Sequence, residues 1–176
     1  MIITITGALG SGKSTVGKAI AKEMKLKHYS TGDYMRTMAA NRGITLLELG
    51  KIAETDFAVD KEIDDWMVNL GKTKNELIVD SRLAWYFIPK SFKIFLDVTE
   101  EEGARRIFAQ KRNDESYNTD FDKALENLKA RKESEKKRYR ELYGINFYDL
   151  ENYDLVINTT EIPAEEVIKK IMKALE

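Results

Sequence analysis

Gly7-Ala8-Leu9-Gly10-Ser11-Gly12-Lys13-Ser14, with Thr15 behind it, decides how this chain is read. The apolar run Met1-Ile2-Ile3-Thr4-Ile5-Thr6 precedes it, and a helical pattern starts near Gly12. A G-x-x-x-x-G-K-[ST] motif therefore stands where a strand turns into a helix, the context that makes it a phosphate loop. Each part answers a chemical need. Glycines let backbone N–H groups turn around a phosphate with no Cβ in the way. The helix that starts there adds the positive end of its dipole. Lys13 is placed to reach the β- and γ-phosphates, and the Ser14 hydroxyl to ligate Mg²⁺. The stretch from Gly7 to Thr15 is thus expected to hold a nucleoside triphosphate with Mg²⁺.

Working outward, Val16, Ile20 and Met24 are spaced for one buried face of a helix over 12–25. A short strand follows at 27–30, then a helix opened by Thr31-Gly32-Asp33-Tyr34-Met35-Arg36 that ends by Asn41-Arg42-Gly43. Thr45 with Glu48 three residues on reads as a capping box for a helix over 46–54. A further helix, 58–72, carries Ile63, Trp66, Met67 and Leu70 on one side. Strands are expected at 76–80, ending in Asp80, at 92–98, where Asp97 follows the apolar Ile94-Phe95-Leu96, and at 153–158. Helices are expected at 100–112, at 120–142 and from Pro163 onward, with 113–119 polar and loop-like. The alternation predicts an α/β fold: a five-stranded parallel sheet flanked by helices. In such sheets ligands bind beyond the carboxyl ends of the strands, where Ser14, Thr31, Asp80, Asp97 and Asn158 gather.

At 176 residues the chain suits one domain, 1–176, with no linker, repeat or low-complexity tract and only two prolines. No run of about 18 apolar residues is present, so no membrane partner is expected. The N-terminal apolar run flows straight into the phosphate loop and reads as a core strand, not a leader. With no cysteine, disulfides and thiolate metal sites are ruled out, and a cytoplasmic location fits. A net charge of −1 argues against a general nucleic-acid binder. The charge is uneven, however. Acids crowd 54–65 and bases crowd 129–140.

On these residues the chain resembles the nucleoside-monophosphate kinases of the P-loop superfamily, most closely the short cytidylate kinases of archaea and some bacteria. Besides the phosphate loop, the resemblance rests on Ser30-Thr31-Gly32-Asp33 with Arg36, Asp80-Ser81-Arg82, and Arg131-x-x-x-Glu135-x-x-Arg138-Tyr139. Tyr143-Gly144-Ile145 and Tyr153-Asp154-Leu155-Val156-Ile157-Asn158-Thr159 extend it nearly end to end. It implies transfer of the ATP γ-phosphoryl group to a nucleoside monophosphate, CMP or dCMP first, by a monomer. It also implies that 31–73 is a helical part that binds the acceptor and that 112–119 is a short lid. Thr31, Arg36, Arg82, Arg131, Glu135 and Arg138 become the acceptor-binding residues, and Lys13, Arg82, Arg112 and Arg131 the catalytic cations.

The residues support this independently. Phosphoryl transfer between two nucleotides gathers negative charge, so the site must supply several fixed cations. Arg131, Glu135 and Arg138 share one helix face, and arginine's planar fork suits phosphate better than lysine. Sequence pattern alone does not separate Asp80 from Asp97 as the Mg²⁺-side acid; the resemblance, in which an arginine follows two residues on as Arg82 does here, implies Asp80. Arg105 and Arg106 compete with Arg112 as the lid arginine, and ordinary helix ion pairs compete with all three. Lys132, Lys136 and Lys137, and likewise Asp60 and Asp64, read more simply as solvated faces. His28 reads as a strand residue rather than a base, and Trp85-Tyr86-Phe87 as packing. Two features depart from the family: Ser81 stands where glycine is usual, and Glu135 where the longer enzymes carry aspartate. Thr31-Gly32-Asp33 is equally familiar from adenylate kinases, so AMP or a small shikimate-like acceptor stays open. A slow nucleotide-dependent switch is a different class, and the number of arginines weighs against it.

Overall fold

A computed structural model describes residues 1–110 and 119–176. Five parallel strands form one sheet in the order β2-β3-β1-β4-β5: β1 (Ile2–Gly7), β2 (Lys27–Ser30), β3 (Leu77–Asp80), β4 (Phe92–Asp97) and β5 (Leu155–Asn158). The predicted sheet is therefore present, with the last strand starting two residues later than its apolar pattern suggested. The central strands are buried on both sides, and for that reason read as apolar runs instead of alternating.

Helices cover both faces. α1 (Lys13–Met24) and α8 (Ala164–Ala174) close one, around Ile3, Ile5, Ile78, Ile94 and Leu96. On the other, α2 (Thr31–Asn41), α3 (Leu46–Ala53), α4 (Phe57–Thr73) and the single turn α5 (Ala84–Phe87) pack over Leu77, Val79 and Phe95. That turn is too short for periodicity to announce it. α6 (Glu100–Ala109) packs against α7 (Phe121–Tyr143), and Leu9, Ala104 and Leu128 seal both to the phosphate loop. A 3₁₀ turn at Leu150–Asn152 leads into β5.

Local chemistry accounts for the boundaries. Thr45 accepts a bond from the Glu48 amide at 3.1 Å, and Glu48 accepts one from the Thr45 amide at 2.7 Å, completing the box that starts α3. Asp56, Thr99 and Asp120 cap α4, α6 and α7 with their side chains. Pro163 is the N-cap of α8, one residue before the helix proper. Val167 and Ile171 are buried as expected, with Ile168, Met172 and Leu175 packed partly against them. Among the described residues no helix is long and apolar enough to cross a membrane.

Candidate active site

The phosphate loop joins β1 to α1, and two glycines there have backbones no other residue adopts without strain. Gly10 has φ +78° and Gly12, the N-cap of α1, has φ +86°. A Cβ on Gly10 would overlap the Gly103 backbone, so α6 lies directly against the loop. A Cβ on Gly12 would meet nothing, so its backbone faces open space. Ser11 is buried and its Oγ has no hydrogen-bond partner among the described residues, while Thr15 is exposed on the first turn of α1. This is a backbone cradle at a helix N-terminus, suited to phosphate.

Lys13 folds back into that cradle. Its Nζ donates to Gly7 O at 3.0 Å and Ala8 O at 2.8 Å. Burial, followed by the neighbouring charge of Arg82, holds its pKa well below that of an ordinary lysine. Asp80, Glu135 and Arg131 also lie close enough to act on it electrostatically. The structure therefore brings together residues from the phosphate loop, the end of β3 and the middle of α7.

Asp80 ends β3 beside Ile5 and Ser30. Its Oδ1 accepts bonds from Ser14 Oγ at 3.2 Å and Ser30 Oγ at 3.0 Å. His28 Nε2 lies 2.7 Å from its Oδ2, off the line of a well-aligned hydrogen bond. Burial pushes the Asp80 carboxyl up, but His28, Ser30 and the Lys13 charge outweigh it and hold the group ionised below the usual range. Asp97 is placed otherwise. Its Oδ1 accepts the Val98 amide at 2.9 Å, and it lines a cavity of about 230 Å³ with Glu100, Lys132 and Tyr148. A hydroxyl beside one ionised carboxylate, next to a phosphate cradle, is an oxygen donor set that fits Mg²⁺, which keeps waters and phosphate oxygens as its other ligands. Among the described residues no cluster of three or more His, Asp or Glu forms a metal cage, so the donor set is of this partial kind.

Arg82 follows the β3 end, held by the turn that Ser81 makes. Ser81 Oγ accepts the Leu83 amide at 3.3 Å, and its carbonyl accepts Thr6 Oγ1 at 2.9 Å. The serine that departs from the family pattern thus builds the turn itself. Arg82 Nε donates to Glu135 Oε2 at 2.8 Å, and Arg131 Nε to Glu135 Oε1 at 3.0 Å. Glu135 is 7% exposed. Burial would raise its pKa, yet the two guanidinium groups pull it down to about 2. The same carboxylate raises Arg82, against burial that would lower it.

Arg138 lies on the same side of α7, over the Tyr139 ring and facing α4. Its Nε stands 3.7 Å from Asp60 Oδ2, and neither atom has a hydrogen-bond partner among the described residues. Asp60 is 6% exposed, which corrects its reading as a solvated acid: α7 covers the face of α4 that carries it. Asp64, one turn on, accepts the Tyr143 hydroxyl at 2.6 Å, and burial first of all raises its pKa to about 6. Ser134 adds a bond to Glu54 at 3.1 Å, so α4 and the end of α3 dock on α7 at three points.

Thr31 begins α2 with its Oγ1 buried and, among the described residues, without a hydrogen-bond partner. Arg36 pairs with Asp33 at 3.0 Å on its own helix. Trp85 is buried and donates Nε1 to Arg82 O at 3.1 Å, a packing role, as expected. Lys132 is not simply solvated: it pairs with Glu100 at 2.6 Å and sits over the Tyr148 ring. Of the lid arginine candidates, Arg105 pairs with Glu102 on an exposed face. Arg106 bonds Glu102, Gly10 O, Thr159 and Thr160 O, tying α6 to the loops around the cradle. Arg112, like 112–118 of the expected lid, lies outside the described residues. The contacts of His28 and Arg106 leave no signal in the sequence, because their partners are brought in from other strands and loops.

Comparison with known proteins shows what the chain is similar to. The profile of the cytidylate kinase-like family matches residues 2–161. A cytidylate kinase of Sulfurisphaera tokodaii is 38% identical over 173 residues, covering 97% of this chain and 93% of that one. One from Methanothermobacter thermautotrophicus is 37% identical over 165 residues, covering 94% and 99%. Among solved structures, a shikimate kinase from Bacteroides thetaiotaomicron superimposes with a TM-score of 0.66 at 16% identity, covering 99% of this chain and 98% of that one, which shows a shared fold.

Proposed function

Since this chain belongs to the cytidylate kinase-like family, we propose that it transfers the γ-phosphoryl group of ATP to CMP or dCMP with Mg²⁺. The observation that carries the reading is the set of cations around the cradle. Lys13 serves one phosphate chain; Arg82 and Arg131, fixed on one carboxylate, supply charge for a second. A switch has no need of that second set. In this reading Gly7–Thr15 wraps the ATP phosphates and Lys13 follows the charge that moves during transfer. Ser14 and Asp80 would hold Mg²⁺, which when bound neutralises charge on the phosphate oxygens. Arg82, Arg131, Arg36 and Thr31 take the acceptor's phosphate side. Glu135, with both oxygens on arginines, acts through them by fixing their forks. Arg112 remains the proposed lid arginine and 112–119 the proposed lid.

A coupled ADP-release assay across CMP, dCMP, UMP, AMP and shikimate tests this. CMP and dCMP should be turned over far faster than the rest. Preference for AMP or shikimate would replace the acceptor, and hydrolysis without any acceptor would favour the switch.

The Asp60–Arg138 pair supports a cytosine acceptor. A buried carboxylate oxygen and a guanidinium nitrogen, each without a hydrogen bond among the described residues, offer an acceptor beside a donor. Cytosine presents the complement, an amine beside a ring acceptor, whereas uracil sets a carbonyl against the carboxylate. Asp60→Asn should therefore shrink the CMP-over-UMP preference in kcat/KM about 10-fold or more, the scale of one charged hydrogen bond at roughly 1.5–3 kcal/mol. An unchanged ratio would assign Asp60 to packing.

A further inference from the structure

Asp80 has two oxygens in different company. Oδ1 is held by Ser14 and Ser30, whereas Oδ2 faces the imidazole of His28 at 2.7 Å. Both side chains are nearly enclosed, 11% exposed for His28 and 6% for Asp80. The register explains the meeting. His28 pairs with Ile78 and Ser30 with Asp80, and alternate residues of a strand share a face, so His28 and Ser30 both lie on the α1 side with the acid. The room for the ring comes from α1. Gly17 is buried in the middle of that helix, and a Cβ there would lie 2.9 Å from His28 Nε2 and 3.0 Å from its Cδ2. Glycine is a poor residue for a helix interior, and at this position it is the imidazole that occupies the freed space.

We propose that His28, seated in the slot that Gly17 leaves, is a positioning residue for the metal side of the site: it holds one oxygen of Asp80 so that the other stays on Ser14. The inference rests on the reading of Asp80 and Ser14 as the Mg²⁺ side. Without the imidazole, a buried carboxylate oxygen has lost the polar group that faces it and the carboxylate is free to turn. His28 touches Asp80 rather than the cleft, so it acts on metal through the acid and not on the substrates.

The test uses the full chain with ADP and Mn²⁺, following free Mn²⁺ by electron paramagnetic resonance. His28→Ala should weaken Mn²⁺ binding to the ADP complex about 10-fold or more, the scale on which a partner behind a metal ligand acts. ADP affinity without metal and KM for CMP should stay put. Gly17→Ala, with His28 intact, should give the same metal defect by pushing the ring away. In the His28→Ala background the added methyl meets Ile5 Cδ1 at an ordinary 3.5 Å, so the same change should there raise the melting temperature through helix propensity. His28→Gln, whose amide can face Asp80, should recover part of the metal affinity and serves if His28→Ala fails to fold. Variants that melt earlier but bind Mn²⁺ within twofold of wild type would reduce His28 to packing. Asp80→Asn in the same titration separates the two levels. If it weakens Mn²⁺ binding and the His28 variants do not, this inference alone falls; if it too has no effect, the metal-side reading falls with it.

Discussion

Lys13→Ala should lower kcat by about 10²–10³ while leaving the fold intact. The rate loss follows from where Nζ sits. It is already inside the cradle, donating to Gly7 O and Ala8 O, and needs only to turn from loop carbonyls to phosphate oxygens. The small effect on stability follows from its surroundings. Burial and the Arg82 charge both work against the ammonium form, so removing it relieves desolvation and like-charge repulsion while losing two bonds to carbonyls. Relief and loss oppose each other, and the melting temperature should move by only a few degrees. Thermal unfolding by circular dichroism and single-turnover transfer from ATP to CMP are the measurements. A variant that retains more than half the wild-type rate would remove Lys13 from the chemistry. One that is inactive only because it has melted would leave the role untouched in a second variant, Lys13→Met, which keeps the aliphatic stem and should show the same rate loss.

The fold was legible because its signals are local. A strand, a glycine-rich turn and a helix stand in sequence at 2–24, and Thr45 with Glu48 writes a helix start into four residues. Residues that meet by parity along a strand or a helix were legible too: Arg131 and Glu135 are one turn apart and do bond. What the sequence could not carry are contacts between elements. Asp80 and Asp97 both end apolar strands, and only the placement of Ser14, Ser30 and His28 separates them. Ser30 and His28 come from β2, on the outer side of β3, and Ser14 comes from the helix crossing above it. The acids of α4 read as a solvated run because a charge count says nothing about which neighbour covers them; α7 covers Asp60 and leaves Asp65 at the surface. Arg106 likewise looks like any helix arginine until the carbonyls of Gly10, Thr159 and Thr160 arrive around it.

Glu135→Gln should destabilise the protein by about 3–5 kcal/mol, the cost of breaking a buried ion pair by removing one partner. The shape is kept, but Arg82, 13% exposed, is left facing Arg131 and Lys13 with no anion between them. The pH dependence gives an independent reading. The folded pKa of Glu135 is about 2, below the ordinary glutamate range, so its contribution is fully present above about pH 5 and is lost as pH falls toward 2. Wild type should therefore lose stability through that acid window, and the variant, which has no carboxyl to protonate there, should lose correspondingly less. Urea melts at pH 7 and at pH 3 measure both effects, and the difference between the two proteins should shrink at the lower pH. Phosphate supplies the last check. If the cations await a second phosphate chain, CMP or inorganic phosphate should restore some of what the variant lost, raising its melting temperature more than that of wild type. Equal stabilisation of both proteins would mean that the Arg82–Glu135–Arg131 cluster braces α7 against β3 and stands outside the acceptor site.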